Sequence, residues 1–284
     1  MSKLSFIMTP IPCPKCRDNC INSIATGKLI DENNYSYFKM ECQNQHIFWG
    51  IPRFPDYCYF LMNGLASFNS GNYFESFSSA YFAYERFKTT FCEAVLLSND
   101  TSQSYEEILN QTQHFRSDST KVNGAFQALY AMYFHSAAID ISTEDVKKRN
   151  RITHGAEAPN ERKVKKVFMD IINFIQKTEW KFVSSLSDEE RDQGYGALNY
   201  PILDLIFSRS NAVNDYLIKK KKVHQDDITF ISNNYFYNGK QILPVGNQQP
   251  TKPSNSDYKF DDMAKVFNNF QNTHLKVIEN IHNS

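Results

Sequence analysis

The chain carries no excess charge of either sign: 31 Lys plus Arg face 31 Asp plus Glu in 284 residues. Without a global field nothing advertises a nucleic acid or a membrane surface, although a neutral total leaves room for a local basic patch. Long apolar runs are missing as well, and the longest are far too short to span a bilayer. The opening residues MSKLSFIMTPIPCPKC lack the apolar core of a secretory leader and reach cysteine almost at once. No internal repeat is detectable. These absences lead to the expectation of a cytoplasmic chain with no membrane partner. Its length suffices for one large domain or two unequal ones with a sizeable core.

What is present begins with cysteine. Six cysteines in a cytoplasmic chain point to metal ligands or core residues before disulfides. Cys13, Cys16, Cys20 and Cys42 crowd the first fifth of the chain, whereas Cys58 and Cys92 stand alone in aromatic, apolar sequence and read as core. A Cys-x-x-Cys knuckle supplies two tetrahedral ligands from one turn, and Cys13 with Cys16 makes one. Cys42 and His46 supply a second pair across a ribbon-sized stretch of short β-type runs, with Cys20 as a spare. The pattern is similar to the zinc ribbon class over residues 10–50 or so. Four protein ligands close a site, so the expected zinc is structural and takes no part in catalysis. Short strands around paired cysteines cannot build a core alone, which marks residues 1–52 as a metal-stapled module ending near IPRFPD.

From Asp56 the periodicity turns helical. Through residues 72–97 Phe74, Phe77, Tyr81, Tyr84, Lys88 and Phe91 recur at spacings of three and four, one buried stripe of a long helix. Further helices are expected over SYEEILNQTQHF, KVNGAFQALYAMYFHSAAI and, after Pro159, NERKVKKVFMDIINFIQKTEWKFVSSL. In STEDVKKRNRITHG, Ser142 and Thr143 signal a helix start and Gly155 a stop. Residues 186–225 give no clear pattern. DDITFISNNYFYNGKQILPV reads as a β-hairpin around Asn238-Gly239. A polar connector then leads to a closing helix from Tyr258, where Phe260, Met263, Phe267, Phe270, His274, Val277 and Ile281 recur at three and four. That stripe suits packing on its own bundle better than a coiled coil.

KKRNRITHGAEAP, residues 147–159, concentrates chemistry. On a helix Asn150 and His154 lie one turn apart on a shared face, with Arg149 flanking it. Arginine offers a permanently charged planar fork to a phosphate, and histidine can take and give a proton near neutrality. Together these are the minimum for phosphodiester cleavage by a neighbouring 2′-hydroxyl, with no metal required. The plainer reading is a basic helix end with His154 favourable at its C-terminus.

Arg149-Asn150, three residues, His154 and Gly155 resemble the signature of the HEPN superfamily. The order of helices agrees, because residues 70–91 are similar to the long early helix of that family, with Glu85 as its mid-helix acid. The resemblance covers roughly residues 56–185. It implies a mainly α fold, a HEPN-like bundle over 53–185, with the β zinc ribbon before it and a hairpin-plus-helix extension over 186–284. It also implies a metal-independent endoribonuclease of the toxin, anti-phage or CRISPR-linked kind, acting on RNA as a homodimer with two motifs in one cleft, and open to a defence-system or antitoxin partner. By that resemblance Arg149 stabilises the scissile phosphate, His154 transfers protons, and Asn150 orients either. Glu85 then holds Arg149 or His154, or is simply an acid beside the stripe. Ile152 is taken as a surface position at the dimer contact. Ala156 stands where one toxin branch carries a modified Tyr, so that regulation is not implied. The rivals are a non-catalytic HEPN module that binds nucleotide, RNA or protein, and a DNA-binding regulator using the ribbon and Lys219–Lys222.

Overall fold

A computed structural model describes residues 13–16, 26–32, 35–42, 44–141, 144, 147, 150–152, 155, 157–184, 200–232, 236–237, 240–241, 243 and 259–269. Helix dominates, with one four-stranded sheet. The chain divides into two compact units. One comprises residues 1–54, 206–234 and 269–284; the other comprises 55–205 and 235–268. No helix among the described residues is long and apolar enough to cross a membrane.

The first unit is built on a sheet of β1 (Thr26–Glu32), β2 (Tyr35–Glu41), β3 (Ile47–Arg53) and β4 (Ile228–Ser232) in that spatial order. β1 and β2 pair antiparallel with Glu32 opposite Tyr35, which leaves a two-residue connection. β2 and β3 also pair antiparallel, whereas β3 and β4 run parallel. Phe38, Met40, Phe48 and Ile231 are almost fully buried on one face. Burial of this kind stabilises by roughly 1.5–3 kcal/mol per large side chain. The strands approach closely at Gly50, where an added Cβ would lie 2.5 Å from Ile231 Cδ1. Helix α6 (Pro201–Lys219) gives this unit its residues from Ile206 onward. Arg209 donates to the Phe54 carbonyl at 2.7 Å, and the Ser210 hydroxyl donates to the Pro52 carbonyl at 3.2 Å.

Residues 228–232 depart from the hairpin expected there. They form β4 beside β3, and the antiparallel pairing found further on is only that of β5 (Phe236–Tyr237) with β6 (Lys240–Gln241), while Asn238 and Gly239 lie outside the described residues. The run Ile-Thr-Phe-Ile is too apolar on both faces for an isolated two-stranded ribbon, which is marginal in water. A parallel slot in a covered sheet suits it better. Ile228 and Ile231 are both buried there.

The second unit contains α1 (Asp56–Asn69), α2 (Tyr73–Asn99), α3 (Tyr105–Arg116), α4 (Ser119–Phe134) and α5 (Glu161–Ser184). The starts follow capping rules. Asn72 accepts from the Glu75 amide, Ser104 and Glu107 form a capping box, and Asp118 accepts from Thr120 and Lys121. α2 runs through the core: Phe77, Phe87 and Phe91 are buried, and Phe87 meets Phe174 of α5 edge-on at 5.2–5.4 Å as Tyr84 does. Cys58 and Cys92 are fully buried, as their apolar surroundings predict. Phe260, Met263 and Phe267 of a helix over 260–269 are buried too, with Phe260 against Phe68 and Phe168 at 4.5 and 5.2 Å. The described part of that stripe therefore packs on its own bundle. Its later positions, from Phe270, lie outside the described residues, as do residues 186–199.

Candidate functional site

Cys13, Cys16, Cys42 and His46 come together in the first unit, their ligand atoms all within 4.8 Å of one another. The local fold explains how. Pro14–Cys16 form a single 3-10 turn closed by the Cys16 amide donating to the Cys13 carbonyl at 3.0 Å, which aims both sulfurs to one side. Cys42 and His46 flank the connection from β2 to β3. The Cys42 amide donates to the His46 carbonyl at 3.2 Å, and Gln45, at φ 60°, returns its amide to the Cys42 carbonyl. A side chain in the left-handed region is uncommon, and here it lets the five-residue turn close on itself.

Two of the separations match a tetrahedron and a third is shorter. Metal–sulfur bonds of ~2.3 Å and metal–nitrogen bonds of ~2.0–2.1 Å place two sulfurs about 3.8 Å apart and a sulfur about 3.6 Å from a nitrogen. Cys16 and Cys42 sulfurs are 3.8 Å apart, and His46 Nδ1 lies 3.7 Å from the Cys13 sulfur and 3.2 Å from that of Cys16. Four such donors could bind a metal. Burial pushes the Cys13 thiol up to about 11, whereas the Asn44 amide, donating to the Cys16 sulfur at 3.3 Å, and the His46 ring hold Cys16 at about 7. Asn44 is a contributor that the ligand spacing does not reveal. Its only trace in the sequence is its place inside the Cys-x-x-x-His turn. Cys20 lies outside the described residues.

In the second unit the candidate motif is described in part. Asn150, Arg151 and Ile152 are helical, and Gly155, at φ 74°, turns its amide back to the Ile152 carbonyl at 3.0 Å, the helix stop expected of it. Asn150 is exposed. Arg149 and His154 lie outside the described residues, as do Ser142 and Thr143. Ile152 is only 2 % exposed, so it is a core position and not the surface residue expected beside a dimer axis. The error came from the polar company it keeps in the sequence.

Both flanks of the motif are pinned. Downstream, Glu157 accepts from Lys163 and pairs with Arg151 at 3.3 Å. Upstream, Asp140 accepts from Lys88 at 3.0 and 3.1 Å, from Gln127 at 3.2 Å, from the Tyr84 hydroxyl, and from its neighbour Ile141's amide at 2.8 Å. Lys88, 3 % exposed, also donates to Tyr84 and Asn123 at 2.6 Å each and lies over the Tyr84 ring at 4.2 Å. Burial lowers its pKa, and Asp140 and Glu85 oppose the shift by favouring the charged form. Glu85 itself is half-buried on α2, one residue before the turn that carries Arg86 to Asp56 at 2.5 Å. The Lys88 cluster was not foreseen as a cluster, yet a lysine inside an aromatic stripe was the signal for it.

Compared with known proteins, the chain matches no family model, no curated relative and no solved structure.

Proposed function

We propose that the chain is a metal-independent endoribonuclease of HEPN type whose N-terminal ribbon is stapled by structural zinc. The observation that carries the reading is the setting of the Arg149–His154 motif. It ends a helix at Gly155, before the long α5, between two anchors, Asp140 upstream and Glu157 downstream. Such anchoring suits a segment that must hold reacting groups in fixed geometry. The phosphate role goes to Arg149 by the resemblance alone; Arg151 pairs with Glu157 at 3.3 Å.

In the proposed reaction the 2′-oxygen of a ribose forms a bond to its own 3′-phosphorus while the bond to the leaving 5′-oxygen breaks. His154 takes the proton from the 2′-hydroxyl or delivers one to the 5′-oxygen. Arg149 stabilises the charge on the non-bridging oxygens, and Asn150 orients the phosphate or His154. Glu85 is assigned as an orienting acid. One chain has a single motif, so a homodimer would supply the second histidine, and with it both proton transfers. Zinc suits three thiolates and one imidazole in a closed tetrahedron, and has no part in the chemistry. The setting proposed is cytoplasmic, in defence or a toxin system, with an antitoxin or defence-system partner.

The test is cleavage of total RNA by the purified chain, with and without brief chelation. Expected products end in 2′,3′-cyclic phosphate and 5′-hydroxyl, unchanged by the chelator. His154→Ala should cut the rate about 10²–10⁴-fold, the range for general acid–base catalysis, and Arg149→Ala by a comparable factor. Two variants that cleave like the wild type would remove the site assignment. RNA that is bound but never cut would make the chain a binding module.

A further inference from the structure

The ribbon sheet carries a row of side chains that its own stability does not explain. Lys28 of β1 lies directly opposite Lys39 of β2, and Lys39 lies opposite Trp49 of β3. Residues paired in this way share a face, and adjacent strands are about 4.8 Å apart, so the three form one short row across the sheet. Both lysines are exposed and Trp49 is half-buried. Like charges directly opposite each other destabilise a pair of strands. Some lysines of this unit are paired, Lys15 with Asp227 at 2.8 Å and Lys221 with Glu32 at 2.5 Å, whereas Lys220 and Lys222, in a turn after α6, have no ion pair among the described residues. Among the described residues Lys28 and Lys39 have no ion pair, and Glu41, exposed two places along β2, bonds to neither. A lysine on β1 serves to protect a sheet edge from pairing with other chains. Lys39 cannot be explained that way, because β2 is flanked on both sides.

An unmatched pair of cations beside an aromatic ring fits one class of ligand well. We propose that this row is a contact surface for single-stranded nucleic acid, with an unpaired base stacked on Trp49 and flanking phosphates on Lys28 and Lys39. Stacking on an aromatic side chain needs an unstacked base, which a single strand offers and a duplex does not. An acidic peptide would satisfy the lysines and leave the tryptophan without a role. The inference does not use the Arg149–His154 motif and stands apart from the cleavage reading.

The experiment is a fluorescence-anisotropy titration of the full chain with a labelled twelve-nucleotide 2′-O-methyl RNA, which cannot cleave itself because its 2′-oxygen is blocked. It is repeated over a salt series and against unlabelled duplex and polyglutamate. Binding should weaken with salt, and Lys28→Gln/Lys39→Gln should reduce the log–log salt slope by about 1.4, at about 0.7 per phosphate on a single strand. Trp49→Leu should weaken binding by roughly 5- to 150-fold, the range for one stacked base, and Trp49→Phe should recover most of it. Because Trp49 is half-buried, the exposed lysine pair keeps the test decisive even if Trp49→Leu fails to fold. An unchanged slope and affinity in the lysine variant would overturn the proposal. So would competition by duplex or polyglutamate as strong as that of the single strand.

Discussion

A cation on the apolar face of a helix has to be answered by an acid, and Lys88 is answered by Asp140. Taking one partner away leaves the other desolvated, which is costlier than the pair is worth. Asp140 keeps 28 % of its side chain in water, so the loss should fall below the ~3–5 kcal/mol typical of a fully buried pair. Asp140→Leu, which strands the buried Lys88, should therefore lower the urea midpoint clearly, and Lys88→Met, which leaves the part-exposed Asp140, should do so less. Lys88→Met/Asp140→Leu should regain part of the loss, because two apolar groups can replace a buried pair. Equilibrium unfolding of the three variants checks this; strictly additive losses would mean that the two residues are not coupled. At this scale the cluster of four candidate metal ligands was legible, since cysteine and histidine at knuckle spacing leave few other readings. Asp140 was not, because nothing in a sequence marks which acid a buried lysine will meet.

At the scale of elements, helix contacts depend on small residues where backbones converge. Gly64 of α1 lies under Phe168 of α5, and a Cβ added to it would sit 2.6 Å from Phe168 Cε2 and 3.3 Å from the Ser76 carbonyl oxygen. The ring is in the core and the carbonyl is backbone, so neither yields easily. Gly64→Ala should cost about 1–3 kcal/mol by overpacking despite alanine's better helix propensity. Adding Phe168→Leu should cost less in that background than alone, a difference that a double-mutant cycle would detect. If Gly64→Ala is neutral, the helices are not in contact at this point. The long helices were readable because caps such as Ser104 with Glu107 and stripes such as Phe77, Tyr84 and Phe91 agree with each other. β4 was not, since a five-residue apolar strand takes its place from a partner some 180 positions away, and periodicity carries no such information.

For the whole molecule two measurements follow. Metal analysis should return about one zinc per chain, the stoichiometry of one closed four-ligand site. Cys13→Ser or Cys42→Ser should lower metal content and Tm together, because in small metal-stapled folds binding free energy is folding free energy. An ordered ribbon without metal would exclude this role. Sedimentation at micromolar concentration should show a dimer if two motifs share a cleft. Ile152 is the wrong residue with which to probe it, since a charge there would disrupt the fold. Lys147→Glu, at an exposed position on the motif helix, is the better probe, and should yield folded, inactive monomers. A monomer with full cleavage activity would end the shared-cleft idea.

The pairing of β3 with β4 also has a consequence in time. The four candidate metal ligands all lie within the first 46 residues, but β3 begins at Ile47 and its parallel neighbour at Ile228, a separation of 181 residues. At about 5–20 residues per second of synthesis, the ribbon would emerge from the ribosome roughly 9–36 s before its last strand exists. During that interval residues 55–205 have already appeared, while β3 presents an unpaired apolar edge, the kind of surface that pairs with other chains or recruits a chaperone. A nascent chain stalled before residue 228 should therefore aggregate or hold a chaperone, and one released past Ser232 should not.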